Sequence, residues 1–144
     1  MLSSLALETT FVAAHLRVVL TRTARRLRQQ AGTDLSPSQT AALATVERRG
    51  PLTPSEVAAC ERIQRPTATR VLARLEEAGL VQRAADPADR RSSLVSITAE
   101  GRALLEAGRT RKDAFLVQRL EDLDADEVAT LERAAEILER VLDQ

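Results

Sequence analysis

Residues 64–98 read Gln64-Arg-Pro-Thr-Ala-Thr-Arg70-Val-Leu-Ala-Arg-Leu-Glu-Glu-Ala-Gly79-Leu-Val-Gln-Arg-Ala-Ala-Asp86-Pro-Ala-Asp-Arg-Arg91-Ser-Ser-Leu-Val-Ser-Ile-Thr98, and the apolar period changes once inside them. Ala68, Val71, Leu72 and Leu75 fall at i, i+3, i+4 and i+7, the buried stripe of a helix over 65–78. Gly79 follows, where a left-handed residue is wanted beyond a helix end. Residues 80–84 and 94–98 are short, β-branched and alternating, and they flank the polar, charged loop 85–92. That is a β-hairpin.

The flanking sequence is helical. Ser36-Pro37-Ser38-Gln39 reads as a capping box, Thr53-Pro54-Ser55-Glu56 repeats it, and Thr98 and Asp124 supply two further N-caps. Gly32 and Gly50 are expected to end helices in the manner of Gly79. The predicted helices are 5–30, 37–48, 54–60, 65–78, 99–121 and 125–142. The first carries Val12, Leu16, Val19, Leu20 and Leu27; the last carries Val128, Leu131, Ala135, Leu138 and Leu142. The fold class is mainly α with one small hairpin, in a single domain over 1–144. Helix 54–60 braces helix 65–78 and the hairpin is a wing, which describes a winged helix-turn-helix.

Composition narrows the function. Among the 144 residues there is one cysteine, Cys60, and one histidine, His15. A disulfide framework, a cysteine-based zinc site and most histidine catalysis are therefore excluded. No Gly-rich phosphate loop occurs, so the chain is read as no enzyme, with no metal and no cofactor. Apolar runs break within about a dozen residues, short of the ~20 a membrane span needs. The Met-Leu-Ser-Ser start lacks the basic flank of a signal peptide, and a cytoplasmic chain without membrane partners is expected.

The formal net charge is zero, yet it is segregated. Residues 1–91 hold 14 Arg against 9 acidic residues, whereas residues 113–144 hold 3 Arg against 10. A basic front and an acidic tail point to a polyanion on one side only.

Opposite its buried stripe, helix 65–78 presents Pro66, Thr67, Arg70, Ala73, Arg74 and Glu77, with Gln64 and Arg65 at its start and Thr69 on a flank. Arg can donate twice to guanine, Gln can pair with adenine, and small residues let a helix approach base edges. The bland alternative is a solvated face, since 20 of the 21 basic residues are arginine. Arg90 and Arg91 at the hairpin tip suit a narrow minor groove. Asp89 beside them is expected to fix one guanidinium.

The run Thr67–Val81, the loop Asp86-Pro-Ala-Asp89-Arg90-Arg91 and the segment Val95-Ser-Ile-Thr98-Ala-Glu-Gly101 resemble the MarR family of bacterial transcription regulators over the whole chain. The resemblance implies a homodimer that joins through about 1–31 and 104–144, with a DNA-binding region at about 35–101. It also implies a dimeric repressor on a pseudo-palindromic double-stranded DNA operator. A small-molecule effector near the junction of the two regions would release it. By position, Gln64, Arg65, Pro66, Thr67, Thr69, Arg70 and Arg74 would face the major groove. Asp89, Arg90 and Arg91 would form the wing tip, and Ser36, Ser38 and Thr53 would meet phosphates at helix N-termini. Independently, the first and last helices carry more apolar surface than a small winged unit covers, which favours association.

Phe11 and His15, four residues apart, are the candidate ligand-pocket pair. Phe11 and Phe115 are the only aromatic residues, a poor supply for stacking an aromatic effector. The cluster Arg22, Arg25, Arg26 and Arg28 reads as solvated and complementary to the helix dipole, or as a partner for the acidic tail across a dimer. Cys60, beside Ala58 and Ala59, is expected to be a small buried thiol. The competing function is a winged-helix module that docks on protein without binding DNA. Arg90 and Arg91 distinguish the two, being suited to a minor groove and of little use in a protein groove.

Overall fold

The computed structural model describes residues 2–143, with side chains described from Ser4 onward. Its elements run α1 Leu2–Gln30, α2 Pro37–Arg49, α3 Pro54–Glu61, α4 Arg65–Glu77, β1 Val81–Ala85, β2 Ser93–Ile97, α5 Ala99–Leu120 and α6 Ala125–Leu142. The order matches the sequence reading, and ends differ by a few residues at most. The wing strands begin and end one residue away from expectation. Leu80 N–H donates to the Leu75 carbonyl at 2.9 Å, so Leu80 closes α4 instead of opening β1. Thr98 leaves β2 to cap α5, accepting from Gly101 N–H at 3.1 Å.

The core lies between α2, α3, α4 and the wing. Leu43, Val57, Leu72, Leu75 and Val95 are fully enclosed, and Leu105 of α5 joins them. The strands pair antiparallel, Val81 opposite Ile97 through Ala85 opposite Ser93. Leu52 adds a bridge to Val95, with N–H···O bonds of 3.0 and 2.7 Å in the two directions. That bridge carries the 50–53 segment onto the wing, a third strand position that the sequence does not announce.

Capping follows the expected residues with three corrections. Ser36 and Asp124 form complete capping boxes, whereas Thr53 accepts from Glu56 N–H without the reciprocal bond. Gly32 and Gly79 take positive φ, of 67° and 75°. Gly50 does not: its φ is −64°, and its value is space, since a Cβ there would meet the Val46 carbonyl at 2.4 Å. The left-handed position after α3 belongs to Arg62, at φ 53°. Cys60 is exposed, not buried, with an Arg49 guanidinium nitrogen 3.4 Å from its sulfur. The inward face of α3 is taken by Pro54, Val57 and Ala58, and Glu61 is tied to Thr45 of α2.

α1 and α5 run together, and Arg111 of α5 donates to the Ala31 carbonyl at 3.0 Å. No residue of α6 is buried. α1 also corrects the expectation about apolar length: Ser4–Gln30 contains an 18-residue window of mean hydropathy 1.2, long and apolar enough by composition to cross a bilayer. Unbroken runs do not reveal it, because Thr10 and His15 interrupt the apolar residues while the stretch between Glu8 and Arg17, free of charge, keeps the average high.

Leu72→Ala should cost about 3 kcal/mol, as transfer loss plus an unfilled cavity in the core. Gly101→Ala should cost about 2 kcal/mol through overpacking, because its Cβ would meet the Leu80 carbonyl at 2.3 Å. Urea unfolding of each variant reads both.

Glu47 of α2 and Arg109 of α5 pair at 2.6 Å, and the Arg109 hydrogen bond holds the carboxyl below its usual range. A depressed carboxylate stabilises the fold above the ordinary carboxylate range, and that contribution is lost on acidification. Glu47→Gln should therefore unfold more easily at neutral pH, by about 1 kcal/mol or less, since the Arg109 half of the pair is open to solvent. The gap should close as pH falls through the carboxylate range, followed by thermal unfolding.

Candidate nucleic-acid interface

The turn between α3 and α4 sets the exposed end of α4. Ile63 N–H donates to the Ala58 carbonyl at 3.0 Å, and Gln64 then occupies the N-cap in extended conformation. Gln64 makes no side-chain capping bond, so its amide stays available. Pro66 in the first turn needs no N–H partner. Ala68, Leu72 and Leu75 are buried; Gln64, Arg65, Pro66, Thr69, Arg70 and Arg74 are exposed, and Thr67 and Val71 are partly so. The expected division of the helix into core and outer faces holds, with Val71 at the border.

A groove of about 560 Å³ runs between the start of α2 and the outer face of α4. It brings together Ser36, Ser38, Thr67, Arg70 and Arg74, five of the residues singled out from sequence. Among the described residues neither Arg70 nor Arg74 has a carboxylate partner. Asp34 also lines the groove, and its charge opposes an anion there. Two of the hydroxyls already make a bond to the backbone. Ser36 accepts from Gln39 N–H at 3.2 Å, and Thr69 donates to the Arg65 carbonyl at 3.0 Å. Ser36 thus offers the α2 N-terminus together with its own O–H, which the cap leaves free to donate, and Thr69, whose O–H is engaged, offers its methyl group. Thr53, partly buried at the start of α3, caps that helix by accepting from Glu56 N–H at 3.2 Å and keeps its O–H as a donor.

At the wing tip, Asp86 accepts from Ala88 N–H at 2.9 Å and Asp89 accepts from Arg91 N–H at 3.0 Å. Asp89 therefore shapes the turn and does not hold a guanidinium, contrary to expectation. Arg90 and Arg91 are exposed, and neither forms an ion pair among the described residues. A further residue was missed from sequence. Arg83 of β1 pairs with Glu76 of α4 at 2.9 Å, neutralising an acid beside the arginine face and bracing wing against helix.

Phe11 and His15 stand apart from all this. Their rings lie 6.4 Å apart and tilted by 48° on the open side of α1, and Phe11 is 74% exposed. The cavity of about 350 Å³ where α1, α2 and α5 meet is lined by other residues, among them Arg25, Arg28, Thr40 and Lys112. Among the described residues, no group of three His, Cys, Asp or Glu side chains could hold a metal ion.

Comparison with known proteins supplies the rest. A model of the MarR family matches residues 33–92. An uncharacterized HTH-type transcriptional regulator of Mycobacterium leprae is 36% identical over 92% of this chain and 94% of its own length. The multiple antibiotic resistance protein MarR of Salmonella typhimurium is 36% identical over 69% of each chain. A solved structure from Pseudomonas aeruginosa, described as a transcriptional regulator, superposes with a TM-score of 0.86 at 37% identity, covering 95% of this chain and 97% of that one.

The exposed position of Cys60 makes a simple prediction. A thiol reagent such as dithionitrobenzoate should titrate one equivalent in the native protein, at a rate close to that in denaturant. Protection until unfolding would contradict this placement of α3.

Proposed function

The chain belongs to the MarR family of transcription regulators, and we propose that it works as a homodimeric repressor that grips duplex DNA through α4 and the wing. The carrying observation is the outer face of α4. Arg70 and Arg74 share one groove with Ser38 and the N-terminus of α2, with no carboxylate pairing either guanidinium among the described residues. Arg70, Arg74 and Gln64 supply bidentate donors for base edges, Pro66 and Thr67 supply small contacts, and Arg65 supplies phosphate charge. The positive ends of α2 and α3, at Ser36, Ser38 and Thr53, meet the backbone. Arg90 and Arg91 reach the adjacent minor groove, while Asp89 keeps the tip turned.

Dimerisation uses about 1–31 and 104–144, leaving about 35–101 as the reading unit. The exposed apolar faces of α1 and α6 support it, since side chains such as Val12 (53%), Leu131 (48%) and Val141 (58%) stay about half exposed within the chain. A chain whose apolar helix faces are buried in a twofold pair acts in the cytoplasm, on DNA, and needs no membrane. The effector class follows from the junction cavity. Arg25, Arg28 and Lys112 at its edge favour a small carboxylate over a neutral aromatic molecule.

A gel shift against the DNA upstream of its own gene tests the reading. Binding should fall by about a thousandfold or more between low and moderate salt. Arg70→Ala should cost about 1–3 kcal/mol and relax sequence preference, whereas Arg90→Ala and Arg91→Ala should weaken all duplexes alike. A small aromatic acid such as benzoate should release the complex, and Lys112→Ala should blunt that release. Indifference to every duplex at low ionic strength would end the proposal.

A further inference from the structure

The wing is anchored at its base, where Val81 and Val95 are buried and Leu52 bridges to Val95 through two main-chain hydrogen bonds. Towards the tip its side-chain bonds stay within the hairpin: Asp86 accepts from Ala88 N–H and Asp89 from Arg91 N–H. One tie leaves this outer half. Arg83, opposite Val95 in the ladder and two residues past Val81, lies on the inward face of β1. Its Nε stands 2.9 Å from Oε2 of Glu76, and among the described residues no other salt bridge joins the wing to the rest of the chain.

Glu76 belongs to the last turn of α4. Four residues past Leu72, it sits on the flank of the helix, between the buried stripe and the face of Arg70 and Arg74. In a unit that approaches a polyanion, a carboxylate here weakens binding by repulsion. Partly exposed ion pairs also add little stability, because water screens them. Neither charge balance nor fold stability therefore accounts for it. What the pair does fix is a direction, fastening the hairpin to the helix that carries Arg70 and Arg74.

We propose that Glu76 and Arg83 are positioning residues, holding the wing at the angle that brings Arg90 and Arg91 to the minor groove while α4 lies in the major groove. This brace rests on the DNA grip of the preceding section and couples its two contacts. Neither residue touches a base; both act through the arginines at the tip. With the tie cut, the hairpin keeps its strands but its outer end swings, and the tip must be ordered at the moment of binding. A pair of this exposure biases such an equilibrium by up to about fivefold, and the two wings of a dimer square that factor.

The sign of one substitution separates the brace from plain electrostatics. Glu76→Gln removes a negative charge, so charge balance alone tightens binding, whereas the brace weakens it, by about threefold to twentyfold for the dimer. Dimethyl sulfate footprints on the duplex of the gel shift locate the loss, because the reagent attacks guanine N7 in the major groove and adenine N3 in the minor groove. At saturating protein, Glu76→Gln and Arg83→Gln should both keep guanine protection under α4 and lose adenine protection under the wing. The exchanged pair Glu76→Arg/Arg83→Glu should regain it, which also shows that the substituted chains fold. Unchanged or tighter binding by Glu76→Gln overturns the brace. Loss of adenine protection in Arg83→Gln alone also overturns it, since Arg83 is then itself a DNA contact. A wild type that binds no duplex overturns the DNA grip instead.

Discussion

Ala68, Leu72 and Leu75 of α4 have no exposed surface at all, and they fix which way the rest of that helix faces. Burial of an aliphatic side chain of this size is worth about 2–3 kcal/mol, so turning α4 outward by one position would cost much of a small domain's stability. The enclosing groups come from every neighbouring element: Leu43 and Val46 of α2, Val57 of α3, Val81 and Val95 of the wing. Arg70 and Arg74 point away from the core because these three side chains point into it. The same core seats the wing, and the Arg83–Glu76 pair braces it from outside.

Where α5 leaves the wing the constraint becomes steric. Thr98 N–H bonds to the Leu80 carbonyl at 3.1 Å, and the Thr98 hydroxyl donates to the Gly79 carbonyl at 2.7 Å. Gly101 then passes the Leu80 carbonyl where no Cβ would fit. The Thr-x-x-Gly pattern that carries part of the family resemblance is thereby accounted for. Threonine ties the end of α4 to the start of α5, and glycine permits the approach. Beyond that point the chain changes character, from a reading unit with a closed core to helices whose apolar faces lie open.

Much of this was legible because local chemistry and tertiary packing agree. Gly79 sits where both the helix end and the turn into β1 need positive φ, and the stripe of α4 is uninterrupted. Misreadings arose where a residue had two uses. Gly50 looked like a left-handed terminator but is required by its closeness to Val46. Cys60 looked buried because its neighbours are alanines, yet the inward position of α3 goes to Glu61, whose carboxylate Thr45 satisfies across the helix pair. No apolar periodicity reveals a buried-facing glutamate. Asp89 was read as a charge and serves as a turn acceptor. The groove between α2 and α4 joins residues some thirty positions apart, so its members could be named from sequence but not placed together.

The joint between α1 and the winged unit is held from one side. Arg111 reaches the carbonyls of Ala31 and Gly32, and it can do so because Gly32 has no side chain to collide with its guanidinium. α5 therefore runs beside the long helix and also holds the backbone just past its end, and the six residues 31–36 carry the chain to α2. Any displacement of α5 along its own axis is consequently passed, through Arg111, to the backbone that leads into the winged unit.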